Sequence, residues 1–245
     1  MPSNMSSPSR KKDAVHQAGI TPGAVIRFAL VVLLQPAILF GAAGRLDWWM
    51  GWIYMGLFLF VSLGSRVLLQ RKNPDLIAER ASSMDRGDVS PVDKAIVSLI
   101  AIFGPMAGLL VAGLDYRLGW TPPLPPAVPW IALILAAGGL LLGTWAMLEN
   151  RFFSAVVRIQ TDRGQTVVTT GPYRFVRHPS YVGGAISFLF IPFFLNTLWA
   201  LIPSGFIILG YLIRTMLEDR TLQAGLPGYA EYARRVRYRL VPGIW

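Results

Sequence analysis

The chain has 245 residues, 53% of them hydrophobic and 15% charged, and a formal net charge of +10. A soluble domain of this length rarely carries so few charges, and a nucleic-acid binder would need a basic face on a polar domain, which is not visible here. With no cysteine, disulfides, thiolate metal sites and cysteine nucleophiles are excluded; with His16 and His178 as the only histidines, a protein-held metal is not expected.

The chain opens on a polar stretch, residues 1–22, rich in Ser and Pro and carrying Arg10, Lys11 and Lys12. It reads as a disordered cytoplasmic tail. The apolar run behind it is long enough to span, so an uncleaved first span is expected rather than a signal peptide. Four runs reach the roughly 20 residues that a bilayer requires: 24–43, 48–69, 95–114 and 128–148. Trp48, Trp49 and Trp52 open the second as an interfacial belt. The loops "GRLD" and "DYRLGWTPPLPP" carry one Arg each, whereas the other side collects most of the Lys and Arg. That asymmetry predicts both termini in the cytoplasm. The excess positive charge suits contact with anionic membrane lipids.

The fifth apolar stretch, 181–217, is too long for one straight span. Pro192, Asn196 and Pro203 interrupt it. A helical hairpin is predicted, with 181–195 entering and 199–217 returning. The expected fold is therefore an all-α integral membrane protein: four transmembrane helices plus a C-terminal helical hairpin. Residues 23–245 read as one domain, with no internal repeat. No GxGxxG follows a strand, so a Rossmann site has no support.

Polar groups gather at the mouth of this hairpin. "GPYRFVRHPSYVGG" lies just before and into the entering helix. Interfacial arginines and tyrosines often only anchor helices by snorkelling. Arg214, however, falls inside the apolar returning helix, with Glu218 four residues on along the same face. Ionisable groups at membrane depth usually face a cavity. His178 stands at a predicted helix start, where outward-pointing N–H groups attract anions.

The run "VVTTGPYRFVRHPSYVGG", followed by "RTMLEDRTLQAGLPGYAEYARRV", resembles the C-terminal signature of isoprenylcysteine carboxyl methyltransferases. It is also similar to the wider group of membrane methyltransferases that includes phospholipid N-methyltransferases and a bacterial thiol methyltransferase. The matching elements are Arg177-His178-Pro179-x-Tyr181-x-Gly183, an acidic pair Glu218-Asp219 followed by Leu222, and Tyr229-x-x-Tyr232. The resemblance covers residues 149–245. It implies S-adenosylmethionine as methyl donor, bound on the cytoplasmic side. It implies that Arg177, His178, Pro179, Tyr181, Gly183, Glu218 and Asp219 lie at the cofactor, with bracing the loop as the alternative role of Arg177. Arg214 matches an arginine that faces the substrate carboxylate, which makes it the candidate catalytic residue. The family usually has Glu-Glu where this chain has Glu218-Asp219, and the shorter Asp leaves open which carboxylate touches the cofactor.

The implied acceptor is lipophilic, a small molecule or a lipidated substrate, most simply a carboxylate of isoprenylcysteine type. A phospholipid amine or a small thiol is the alternative acceptor. A sterol-reductase-like membrane oxidoreductase and a non-catalytic carrier or scaffold are the alternative functions. Neither nucleic acid nor an obligate protein partner is expected.

Overall fold

A computed structural model describes residues 22–82 and 89–245. Apart from Pro22, the tail expected over residues 1–22 lies outside the described residues. Those residues form helices joined by turns and contain no strand. The elements are α1 (Pro22–Ala43), α2 (Trp49–Lys72), α3 (Pro74–Ser82), α4 (Pro91–Ser98), α5 (Gly104–Leu118), α6 (Ala127–Glu149), α7 (Pro179–Leu195), α8 (Leu201–Gly225) and α9 (Tyr229–Arg235). A π-helical turn, Leu99–Phe103, joins α4 to α5, so Pro91–Leu118 runs as one long apolar rod.

Among the described residues, four segments are long and apolar enough to cross a membrane: Trp49–Lys72, Pro91–Leu118, Ala127–Glu149 and Leu198–Gly225. Their outward faces expose Phe60, Ile134, Phe206 and Leu209. Large apolar side chains facing out are costly in water and natural in lipid. The protein is an integral membrane protein with the six apolar helices that the sequence predicts.

The hairpin forms, but its prolines act differently from expectation. Pro192 is retained inside α7. The helix ends four residues later at Asn196, a non-glycine residue in the left-handed region at φ 56°. Asn and Asp tolerate that conformation best. The Asn196 carboxamide then accepts the Leu124 amide at 2.8 Å. Pro203 is the third residue of α8, where its missing N–H costs nothing.

The turn of the hairpin is anchored at the end of the bundle away from the signature residues. Buried Asp115 accepts the Thr121 amide (2.8 Å), the Thr121 hydroxyl (2.7 Å) and the Trp199 amide (3.1 Å). Leu39, Phe40, Trp48, Tyr54, Leu109, Phe194 and Leu195 pack into one core there.

The entering helix α7 lies against α6 through glycines. A Cβ on Gly183 would sit 2.4 Å from the Gly139 carbonyl oxygen and 2.7 Å from the Gly143 nitrogen. Ser187 donates across the same seam to the Ala136 carbonyl at 3.0 Å. Small residues let membrane helices approach this closely, so that dispersion and polar contacts hold them without a hydrophobic drive. This contact fixes where α7 begins, and hence where its first turn presents its side chains.

Candidate active site

The site is assembled from three pieces: the loop into α7, the end of α8, and the C-terminal tail. Gly171 opens the loop at φ +57°, a conformation that glycine adopts without strain. The loop then carries Arg177 and His178 to the N-terminus of α7, where Pro179 is the first helical residue. The Arg177 amide donates to the Tyr238 carbonyl and the His178 amide to the Arg239 carbonyl, each at 3.0 Å. The tail is thereby laced to the motif.

Arg177 and Asp219 form the structural hub. Arg177 donates Nε (2.8 Å) and Nη2 (3.0 Å) to the two oxygens of Asp219. Its Nη1 donates to the carbonyls of Val236 (2.8 Å) and Arg237 (2.9 Å). Asp219, wholly buried, also accepts from Gln223 (2.8 Å), Tyr229 (3.0 Å) and Arg239 (2.9 Å). Every lone pair of this carboxylate is in use. A buried charge is tolerated on these terms, paired and fully hydrogen-bonded.

Glu218, the neighbouring carboxylate, is placed otherwise. It lines an open cavity of about 60 Å³. Arg177, His178, Tyr181, Glu218, Tyr229 and Tyr232 all line it. Its remaining wall comes from the strap over residues 150–168, including Phe152, Ser154, Val156 and Arg158. Arg158 is tied to Glu79 on α3 (2.8 Å) and to Asp162 (2.9 Å), which holds the strap to the bundle. Tyr181 donates its hydroxyl to Glu218. The His178 ring stacks on Tyr181 with centroids 5.6 Å apart. Its buried Nε2 has no hydrogen-bond partner; Asp219 lies 3.5 Å away. Burial pushes the phenols of Tyr173, Tyr229 and Tyr232 well above the usual tyrosine range, so all three remain neutral donors.

The structure therefore brings Arg177, His178, Tyr181 and Glu218 to one cavity. Pro179 and Asp219 are buried directly behind it. Gly183 faces away, into the seam with α6. Arg214 is buried and does not line the cavity. The direct Arg214–Glu218 pair that helical spacing suggests is replaced by a relay. Arg214 Nε donates to the Tyr181 hydroxyl at 2.7 Å, and Tyr181 donates onward to Glu218. Arg214 also donates to the Ala155 carbonyl at 2.6 Å and faces Asp93 at 3.4 Å.

Sequence reasoning missed Asp93 and Arg239, and the individual roles of two strap residues. Asp93 looks like an ordinary first-turn acid of α4. Arg239 looks like one more basic residue in the tail. The strap's Ala155 and Val156 offer no polar side chain at all, and act through their backbone and their place on the wall.

Residues 128–226 match the model of the phospholipid methyltransferase family. This part of the chain is similar to that family. The family region takes in α6, the strap, α7 and α8, and so includes the motif, Arg214, Glu218 and Asp219. The chain is also 34% identical, over 109 residues, to the cobalt-zinc-cadmium resistance protein CzcN of Cupriavidus metallidurans. That alignment covers 43% of this chain and 49% of the relative, so the chain spans about half the relative's length. The resemblance expected over residues 149–245 is thus found as a family match over 128–226, within the membrane methyltransferase group.

Proposed function

We propose that this protein transfers a methyl group from S-adenosylmethionine to a lipophilic acceptor that arrives from the bilayer. The observation that carries the reading is the cavity at the hairpin mouth, where the Arg177–Tyr181 segment and Glu218 meet. The residues fit such a cofactor. Glu218 has an oxygen available to an ammonium or to ribose hydroxyls. His178 lines the cavity at the start of α7, where amide dipoles favour a carboxylate. Of the acidic pair, Glu218 takes the cofactor role, because Asp219 is spent on holding the loop, the helix and the tail together. Pro179 and Gly183 act by placing the first turn of α7.

When bound, S-adenosylmethionine supplies a methyl group already activated on a sulfonium. The chain's own contribution is alignment, water exclusion and charge placement. The strap roofs the cavity, and the phenols of Tyr173, Tyr229 and Tyr232, each donating its proton within the protein, line its wall as neutral groups. The Arg214–Tyr181–Glu218 relay fixes the orientation of the wall carboxylate.

The acceptor reading turns on Arg214. An isoprenylcysteine-type carboxylate would have to draw Arg214 from Tyr181 and make a bidentate contact in its place. A second reading, a phospholipid amine, needs no such exchange, and the family match favours it. Arg214→Lys separates the two. Loss of the planar fork should cut transfer to a carboxylate by about tenfold or more, roughly 1.4 kcal/mol. It should leave transfer to an amine nearly intact. The parent experiment supplies labelled S-adenosylmethionine to membranes with and without the protein and fractionates the labelled lipids. Label only in water-soluble products would contradict the lipophilic acceptor.

A further inference from the structure

We infer that Asp93 is a positioning residue for the transfer, acting through Arg214; the inference rests on the cavity being the methyl-transfer site. Asp93 lies in the first turn of α4, 121 positions from Arg214 in the chain, and is 3% exposed. Its two oxygens face different partners. Oδ2 accepts the Val157 amide of the strap at 2.7 Å. Oδ1 has no hydrogen-bond partner and lies 3.4 Å from Arg214 Nη1.

A buried carboxylate oxygen without a hydrogen bond is costly unless a charge answers it. The facing charge here is Arg214, itself 5% exposed. Each group offsets the other's burial, and removing either leaves an unpaired charge inside the protein. Arg214 is thereby held from two sides. Asp93 takes one Nη edge, and the Ala155 carbonyl takes Nη2. With those edges occupied, Nε is directed at the Tyr181 hydroxyl. Tyr181 can then spend its single proton only on Glu218, since its oxygen already accepts from Arg214. The chain Asp93–Arg214–Tyr181–Glu218 thus runs from the third span to the cavity wall. The same Asp93 fixes Val157, whose neighbour Val156 lines the cavity. The effect is to orient the group that faces the cofactor and to seat the roof above it.

The test is a double-mutant cycle on purified protein in nanodiscs, with Asp93→Asn, Arg214→Gln and the pair. Asn keeps an acceptor for the Val157 amide but removes the charge. Asp93→Asn should leave S-adenosylmethionine affinity near wild type in calorimetry and lower kcat by about tenfold or more, as small misplacements at a reacting centre do. The pair should be no slower than Arg214→Gln alone, because Asp93 acts only through that residue. The pair also removes both buried charges, so it remains informative if Asp93→Asn alone fails to fold. A wild-type kcat in Asp93→Asn, or losses that simply add in the pair, would overturn the inference.

A readout independent of turnover separates this from the methyltransferase reading itself. In protein carrying ring-labelled tyrosine, the Tyr181 NMR signal is identified by its loss in Tyr181→Phe. That signal should shift in Asp93→Asn and should not shift further on adding Asp93→Asn to Arg214→Gln. An unmoved Tyr181 signal would sink the inference even in an active enzyme. A shifted signal in a protein that binds no S-adenosylmethionine would uphold the relay and refute the cofactor reading.

Discussion

Arg177 and Asp219 meet as a buried fork, 42 positions apart in sequence, with two parallel contacts of 2.8 and 3.0 Å. The fork joins the loop before α7 to the end of α8, and Arg177 also grips the tail. Asp219→Ala would strand Arg177 and Arg239 without their carboxylate. Breaking a buried pair from one side typically costs about 3–5 kcal/mol. We expect Asp219→Ala to lower the thermal midpoint in detergent sharply, and Arg177→Lys to lower it as well, since lysine cannot supply the fork. Unchanged midpoints in both would show that the hub carries no stability.

The glycine seam between α6 and α7 gives a prediction with a built-in control. A methyl on Gly183 would meet backbone of Gly139 and Gly143, which cannot move aside. Gly138, one residue from the seam, has nothing within 4 Å of an added Cβ. Gly183→Ala should therefore destabilise by about 1–3 kcal/mol, as overpacking does, while Gly138→Ala should be silent in thermal unfolding. Equal behaviour of the two would contradict the close approach.

Charge asymmetry and the hairpin together predict that the site faces the cytoplasm. The chain has no native cysteine, so single cysteines report cleanly. Leu118 and Ile244 are both exposed and stand at opposite ends of the bundle in this account. Leu118→Cys should react with an impermeant maleimide from outside the cell, and Ile244→Cys only after lysis. Labelling of both from one side would refute the topology.

Much of this fold is legible in the sequence because membrane spans announce themselves by length and apolar composition. The helices fall where residues 24–43, 48–69, 95–114, 128–148, 181–195 and 199–217 predict them, except that the last, Leu201–Gly225, runs eight residues past its predicted end. Pro192 does not end α7: membrane helices accommodate an internal proline, and the turn begins only at Asn196. Arg177, His178, Tyr181 and Glu218 are also legible, through the spacing of the motif. What could not be read is pairing at long range. Nothing around Asp93 signals a partner 121 positions away, and nothing at Gly183 distinguishes a cofactor glycine from a packing glycine. The different fates of Glu218 and Asp219 follow from side-chain direction at the end of α8. Adjacent residues on a helix point about 100° apart, given its 3.6 residues per turn, so one faces the cavity and the other the hub.

The central claim is that the cavity beside Glu218 holds S-adenosylmethionine. The most direct measurement is calorimetric titration of S-adenosylmethionine into wild-type protein and Glu218→Gln in nanodiscs, with thermal midpoints taken in parallel. Glu218 is partly exposed at the cavity, so its replacement should spare the fold. The account predicts saturable binding to wild type, at least about tenfold weaker in Glu218→Gln, roughly 1.4 kcal/mol, with little change in midpoint. Wild-type protein that does not bind, or Glu218→Gln that binds as tightly as wild type, would contradict it.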